Sequence, residues 1–344
     1  MKFDTLIIGG GLAGLTCGIR LQKNGVKCAI VSTGQSALHF SSGSFDLLNE
    51  LADGTKVDNP VAAADKVGAN HPYAKLGDNF AYYVREAKQQ FLDCGIEVNG
   101  DAEHNHLRIT PMGTLKPTWL TFSDFTPLSS ANDTAGKKIL VVNMAGFLDF
   151  NTKFVADSFE KYGAECRISS INLPELERLR ISPTEMRSTN IARVLENEKT
   201  LEALILELTG KISGFDIVAL PAVFGLSSAA SVKKLKESLD IPVWLIPTMP
   251  PSVPGIRAQQ QLRRSFEELG GVYMLGDTVV KADFSGNKVQ AVYSDNHGDI
   301  SFVAENFVLA SGSYFSNGLV AQPDSVIEPV FGSDVDFTPG RDSW

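Results

Sequence analysis

Asp4-Thr5-Leu6-Ile7-Ile8-Gly9-Gly10-Gly11-Leu12-Ala13-Gly14 joins a short apolar run to a glycine-rich turn. Leu15, Ile19 and Leu21 then recur at helical spacing with Gly18 among them, and Gly25 closes the helix. Val26-Lys27-Cys28-Ala29-Ile30-Val31 reads as a second strand. Strand, glycine turn, helix and strand in so short a span form a dinucleotide-binding unit. Gly9 permits the tight exit from the first strand, and Gly11 leaves room for a phosphate to approach the backbone. Gly14 and Gly18 let the helix lie close to the sheet. The helix start then offers free N–H groups and a positive dipole end. The bland alternative is the same packing with no ligand. The cofactor-binding residues expected here are Gly9, Gly10, Gly11, Leu12, Ala13 and Gly14.

One usual component is missing. Such units carry Asp or Glu at the end of the second strand, where it accepts from the ribose of an adenine dinucleotide. Here the place holds Ser32, followed by Thr33 and Gly34, and no carboxylate comes before Asp46. Ser32 is a weaker ribose partner. The phosphate cradle is intact and the adenosine anchor is weakened, which leaves room for a mononucleotide such as FMN in place of a full dinucleotide such as FAD.

The 344 residues suffice for two domains, and 43% hydrophobic with 21% charged residues is a globular composition. A net charge of −9 without a basic stripe argues against a nucleic-acid partner. Cys17, Cys28, Cys94 and Cys166 are widely spaced, so neither a metal site nor an iron–sulfur cluster is expected. They read as free thiols in a reducing compartment. No apolar run reaches the length of a membrane span.

Downstream, Ser36-Ala37-Leu38-His39-Phe40-Ser41-Ser42-Gly43-Ser44 crowds hydroxyls and glycine into a loop whose N–H groups suit an anion. Ser41, Ser42 and Gly43 are expected to contact the cofactor, against the alternative of an ordinary serine-rich surface loop. His39 is a candidate catalytic or substrate-contacting base, or a structural histidine. A helix is predicted from Asp78 to Cys94, and Thr110 to Trp119 reads as a shaped loop rather than a regular element. Strands are predicted at 138–142, 168–173, 215–220 and 243–246, and helices at 152–162, 189–208, 231–239 and 256–269. The proline-dense run from Pro247 to Gly255 is expected to be neither helix nor central strand. Arg257 would then lie in a helix's first turn, facing an anion such as substrate, or simply solvent. A β-rich stretch from 272 to 308 leads into Ala310-Ser311-Gly312, a second strand-into-glycine turn. Gly312 is expected to return backbone N–H groups to the same nucleotide.

Taken together, the glycine motif, the Ser36 to Asp46 loop, Thr110 to Leu120, Pro250-Pro251-Ser252-Val253-Pro254-Gly255-Ile256-Arg257 and Phe307 to Leu319 resemble the B subunits of bacterial anaerobic glycerol-3-phosphate dehydrogenases. The wider similarity is to two-dinucleotide-binding-domain flavoproteins. The resemblance implies an α/β fold: a Rossmann-like FAD/NAD(P)-binding sheet with helices on both faces and an inserted mixed α/β region. The expected division is 1–50 with 272–344 for the nucleotide-binding part and 51–271 for the insertion. The implied activity is oxidation of sn-glycerol 3-phosphate to dihydroxyacetone phosphate. Electrons would pass, with a flavoprotein A subunit and an iron–sulfur, membrane-anchoring C subunit as partners, towards membrane quinone in anaerobic respiration. That places the protein in the cytoplasm, peripheral on the inner membrane through a partner. The alternatives are an electron-relay protein that does not touch substrate and a fumarate-reductase-like flavoprotein acting on a dicarboxylate. Family members continue past Trp344 with a further glycine-rich flavin motif, so part of the flavin site is expected beyond this chain.

Overall fold

The computed structural model describes residues 1–337. The expected continuation of the nucleotide-binding part to Trp344 lies, past that point, outside the described residues. In chain order the main elements are β1 (Lys2–Ile8), α1 (Leu12–Lys23), β2 (Cys28–Ser32), β3 (Ser44–Phe45), α2 (Pro72–Leu76), α3 (Asn79–Asp93), β4 (Val98–Asn99), β5 (His106–Ile109) and β6 (Leu115–Thr118). There follow β7 (Leu120–Phe122), β8 (Lys138–Met144), α4 (Thr152–Lys161), β9 (Glu165–Ile171), α5 (Glu177–Ile181), α6 (Ser188–Leu195), α7 (Glu198–Thr209), β10 (Ile217–Pro221), α8 (Ala230–Glu237) and β11 (Val243–Ile246). The chain closes with α9 (Val253–Glu268), β12 (Val272–Leu275), β13 (Val279–Ser285), β14 (Lys288–Ser294) and β15 (Val303–Leu309).

Two compact units result. The first holds Met1–Leu38 and the chain from Gln259 on, and the second holds His39–Ala258. The first unit is a parallel sheet in the order β12-β2-β1-β15. Side chains alternate across it. Leu6, Ile8, Ala29 and Val31 form a core with Val279, Val292 and Phe302, so one face is covered by the antiparallel β13–β14 hairpin. Ile7 and Ile30 face α1, where the Cβ positions of Gly14 and Gly18 lie 3.3 and 3.2 Å from their side chains. Phe266, fully buried on α9, fills the slot between Gly18 and Gly271. The fold is the expected α/β, Rossmann-like one. In this unit the layer opposite α1 is a β-hairpin, not a second set of helices. β15 is half exposed at the sheet edge among the described residues, where its apolar run predicts a buried strand.

The second unit carries a parallel sheet in the order β11-β10-β8-β9, a small antiparallel sheet β3-β7-β4 and the β5–β6 hairpin. Four sequence expectations change here. Thr110 to Trp119 is largely this hairpin. Pro117 is tolerated because β6 pairs only with β5, and the turn closes with Gly113 at φ +78°. The single helix expected over 189–208 is two, because Asn197 starts a new one by accepting from the Thr200 N–H. β9 begins three residues before the predicted start at 168. The helix expected from Ile256 starts at Val253, with Ser252 accepting from the Gly255 N–H and Pro254 in the first turn, where its missing N–H has no partner to lose.

Candidate functional site

β1 has β2 on one side and β15 on the other, so the strand order reverses at its carboxyl end. Ligands of open parallel sheets bind at such a switch point, and the glycine turn lies there. The four glycines of the motif have distinct physical roles. Gly9 has φ +115°, and a Cβ there would lie 2.1 Å from the Ala310 carbonyl oxygen. A Cβ at Gly10 would lie 2.0 Å from the Tyr273 hydroxyl and 2.5 Å from Ser32 Oγ. One at Gly14 would lie 1.9 Å from the Gly9 carbonyl oxygen. These three are filled by the protein itself. Gly11 differs: its nearest neighbour within reach is Ser36 Cβ at 3.5 Å. Gly11 is also the residue before α1, with no side-chain cap on the helix and no acidic residue in the first turn. An α-helix leaves its first N–H groups without intrahelical partners. Leu12, Ala13 and Gly14 therefore begin the helix behind an open approach at Gly11, which fits the phosphate of a flavin nucleotide.

The turn is held by residues far away in sequence. The Gly10 carbonyl accepts from the Tyr273 hydroxyl at 3.1 Å and from Gln259 Nε2 at 3.5 Å. Gln259 Oε1 in turn accepts from Ser36 Oγ at 2.9 Å. The Arg263 guanidinium lies 4.7 Å from the centre of the Tyr273 ring, a cation–π contact that orients it. Sequence reasoning missed Gln259, Tyr273 and Arg263 as supports of the turn, because nothing local marks them. Their position on the elements that return beside β2 is the only signal.

Ser32 is buried beneath Gly10, and its hydroxyl donates to the Gly34 carbonyl at 3.1 Å. Its own carbonyl accepts from the Gly276 and Asp277 N–H groups. Asp277 is buried at the adjacent end of β12. Burial works against its charge, but hydrogen bonds from Ser294, the Asn296 N–H, His297 and the Thr278 N–H outweigh that and hold the carboxyl below its usual value. Gly312, φ +91°, shapes the turn after β15 against Ser316, whose hydroxyl donates to the Ser311 carbonyl at 2.8 Å. The Ala310–Ser311 segment of this turn touches Gly9. The first unit thus brings Gly9 to Gly14, Ser32 and the turn containing Gly312 to one end of its sheet.

The remaining candidates belong to the second unit. His39 is half-buried, and its carbonyl accepts from the Ser252 N–H at 2.7 Å. Ser41 Oγ accepts from the Gly43 N–H at 3.0 Å, and Ser42 is half-buried. Gly43, φ +81°, lies against the Phe125 ring, 2.0 Å from its Cβ position, so the absent side chain serves packing. Arg257 does face an anion, but the anion is the protein's own. Its guanidinium is buried, donates to the Asp124 carboxylate and to the Gly225 carbonyl, and sits past the first turn of α9. The substrate reading of Arg257 is corrected accordingly. Its charge is consumed by Asp124.

A family model described as an FAD binding domain matches residues 4–343. The B subunit of the anaerobic glycerol-3-phosphate dehydrogenase of Yersinia enterocolitica is 44% identical over 349 residues, covering 100% of this chain and 82% of that protein. The B subunit from Pectobacterium atrosepticum is also 44% identical, with 100% and 83% covered. That of Actinobacillus pleuropneumoniae is 40% identical, with 97% and 80% covered.

Proposed function

The chain belongs to the family of anaerobic glycerol-3-phosphate dehydrogenase B subunits and carries its FAD-binding domain, and from that membership we propose that it is a flavin-bearing protein oxidising sn-glycerol 3-phosphate to dihydroxyacetone phosphate. The observation that carries the proposal is the open Gly11 approach to the uncapped start of α1, beside three glycines that are sterically filled. The bound flavin supplies the two-electron acceptor. The chain supplies the rest. The backbone of Gly11, Leu12 and Ala13 holds a phosphate. Tyr273 and Gln259 fix the Gly10 carbonyl, so the turn is set before the phosphate arrives. The flavin we propose is FMN, because the end of β2 carries Ser32 in place of a carboxylate, and its hydroxyl is already donated to Gly34.

The partners proposed are a flavoprotein A subunit and an iron–sulfur C subunit that delivers electrons to membrane quinone. The attachment proposed, on the cytoplasmic face, is through the partner; no helix among the described residues is long and apolar enough to cross a membrane. A dicarboxylate substrate is the weaker reading. Arg257 is paired with Asp124, and Arg187 with Asp149 at 3.0 Å, which removes two of the arginines such a substrate would need.

The test takes the assembled complex and the purified full chain under anaerobic conditions. Flavin released on denaturation is identified, and flavin absorbance is followed as sn-glycerol 3-phosphate is added. FMN and bleaching by substrate are expected. Bleaching in the complex but not in the chain alone would assign this chain to electron relay. FAD as the released flavin would overturn the FMN assignment.

A further inference from the structure

The β5–β6 hairpin of the second unit carries an arginine with two buried nitrogens that no hydrogen bond satisfies. Its register sets Arg108 directly opposite Lys116 and His106 opposite Thr118, so alternation puts all four side chains on one face. Lys116 donates to Asp46 Oδ2 at 2.6 Å, and Thr118 donates to Asp46 Oδ1 at 2.7 Å. Both oxygens of that carboxylate are engaged. His106 meets Thr121 Oγ1 at 3.2 Å, and burial lowers its pKa, with the charge of Asp101 opposing. It therefore adds no charge at neutral pH. Arg108 is different: its Nε and Nη1 are buried and have no hydrogen-bond partner. Burial pulls its guanidinium below the ordinary value, against the field of Asp46. An arginine nevertheless does not give up its proton at neutral pH. A half-buried guanidinium with two buried, orphaned nitrogens is expensive to keep unless an acceptor completes it.

We propose that Arg108, with Lys116 opposite it, binds the phosphate of a phosphomonoester. The face holds two cations against one carboxylate, and that carboxylate already serves Lys116 and Thr118. A tetrahedral dianion has several acceptor oxygens, so it can take an orphaned N–H of Arg108 and the Lys116 ammonium at the same time. That the phosphate belongs to sn-glycerol 3-phosphate rests on the function proposed above. Free inorganic phosphate presents the same chemistry, and the experiment separates the two sources. Lys116 is half exposed and can shift towards an arriving anion, while Arg108 provides the fixed point.

The full chain with its flavin is melted with inorganic phosphate, sn-glycerol 3-phosphate, glycerol or sodium chloride at matched ionic strength. Both phosphate compounds should raise the wild-type melting temperature by linkage, and glycerol should not. Arg108→Gln should lose this response, with phosphate affinity down at least tenfold. Its melting temperature without added anion should be no lower than wild type, because the unpaired charge is gone. A structural arginine would behave oppositely. Arg108→Lys keeps the charge without the planar fork, and should respond only at higher phosphate concentration. It decides the matter if Arg108→Gln does not fold. Wild-type phosphate affinity in either folded variant, no response of the wild type, or a lower anion-free melting temperature for an Arg108→Gln protein that still folds overturns the proposal. In the assembled complex, a tenfold rise in KM for sn-glycerol 3-phosphate with kcat largely kept identifies substrate as the source. An unchanged KM with phosphate binding lost identifies free phosphate. If the complex fails to oxidise sn-glycerol 3-phosphate while phosphate binding still depends on Arg108, the site stands and the functional reading falls.

Discussion

Exchanging Gly11 and Gly14 separately for alanine distinguishes a glycine kept for a ligand from one kept for packing. Gly11 has φ −83°, which alanine adopts freely, and its Cβ would meet only Ser36 Cβ at 3.5 Å, an ordinary contact. Replacing glycine by alanine before a helix costs about 1 kcal/mol, or a fall of about 1–2 °C in melting temperature for 344 residues. The same methyl group stands where a phosphate must approach the first-turn N–H groups. Losing two such charge-assisted bonds, each worth about 1.5–3 kcal/mol, weakens flavin binding at least ~100-fold. Gly14→Ala is the mirror case. Its Cβ would lie 1.9 Å from the Gly9 carbonyl oxygen, and Gly9 has no room to retreat, because its own Cβ position is 2.1 Å from the Ala310 oxygen. The cost should reach about 3 kcal/mol or more, seen as a melting temperature lower by roughly 4 °C or more. The assay pairs thermal melting with the flavin-to-protein ratio after gel filtration. Gly11→Ala should stay folded and lose flavin. A Gly11→Ala protein with wild-type flavin content would refute the assignment of that approach to the cofactor.

Three further outcomes can be measured. Asp124→Ala strands the buried Arg257 charge and should cost about 3–5 kcal/mol in urea denaturation, whereas Asp124→Leu combined with Arg257→Met should cost less than either single change. Asp277 has a depressed folded-state pKa, so its contribution to stability is present above the unfolded value near ~3.9 and is lost as pH falls through the folded one. Asp277→Asn should therefore flatten the fall of stability in acid, and an unchanged acid limb would contradict this. Burial, with Cys17 and Asp4 adding to it, pushes the Cys28 thiol up to about 11, and burial followed by Glu160 pushes Cys166 up to about 12. With thiolate fractions of roughly one in a thousand or fewer near pH 8, neither should be alkylated by iodoacetamide in the native protein on a timescale that labels a free thiol. Rapid native labelling of either would contradict the burial.

The strand, glycine turn and helix of the first unit were legible in the sequence because their requirements are local. A strand, a turn with room for a phosphate and a helix start are written within consecutive residues. Most of the parallel strands, β1, β2, β8, β10 and β11 among them, were legible as apolar runs for the same reason. What escaped depends on distance along the chain. The carbonyl of Gly10 is held by Tyr273, and nothing near either residue announces the other. Arg257 carries the right chemistry for an anion, but its partner Asp124 is 133 residues away, so sequence alone left substrate and solvent as the only visible choices. Arg108 carried no signal of its own, because Thr110 to Trp119 read as a loop. Only the strand register that sets it opposite Lys116 gives it a site. Pro117 misled for a physical reason. Proline is excluded from central strands, but β6 is bonded on one side only, and there the rule does not apply.

The two anion-seeking features differ in kind, and the difference matches what each would hold. At the start of α1 the donors are backbone N–H groups, fixed by the helix and by a turn that Tyr273 and Gln259 pin. No side chain must be ordered and the donors carry only partial charge, so binding costs little entropy and is less salt-sensitive than a contact between formal charges. That suits a cofactor retained through many turnovers. At the β5–β6 hairpin the donors are formal charges on Arg108 and Lys116, the second of them half exposed. Attraction there reaches into solvent and is screened over about 8 Å at physiological ionic strength, which suits a ligand that arrives and leaves in every cycle. If the assignment of the two features is right, raising salt should increase KM for the phosphorylated substrate while leaving the flavin-to-protein ratio constant. If the roles were reversed, flavin would be the component lost.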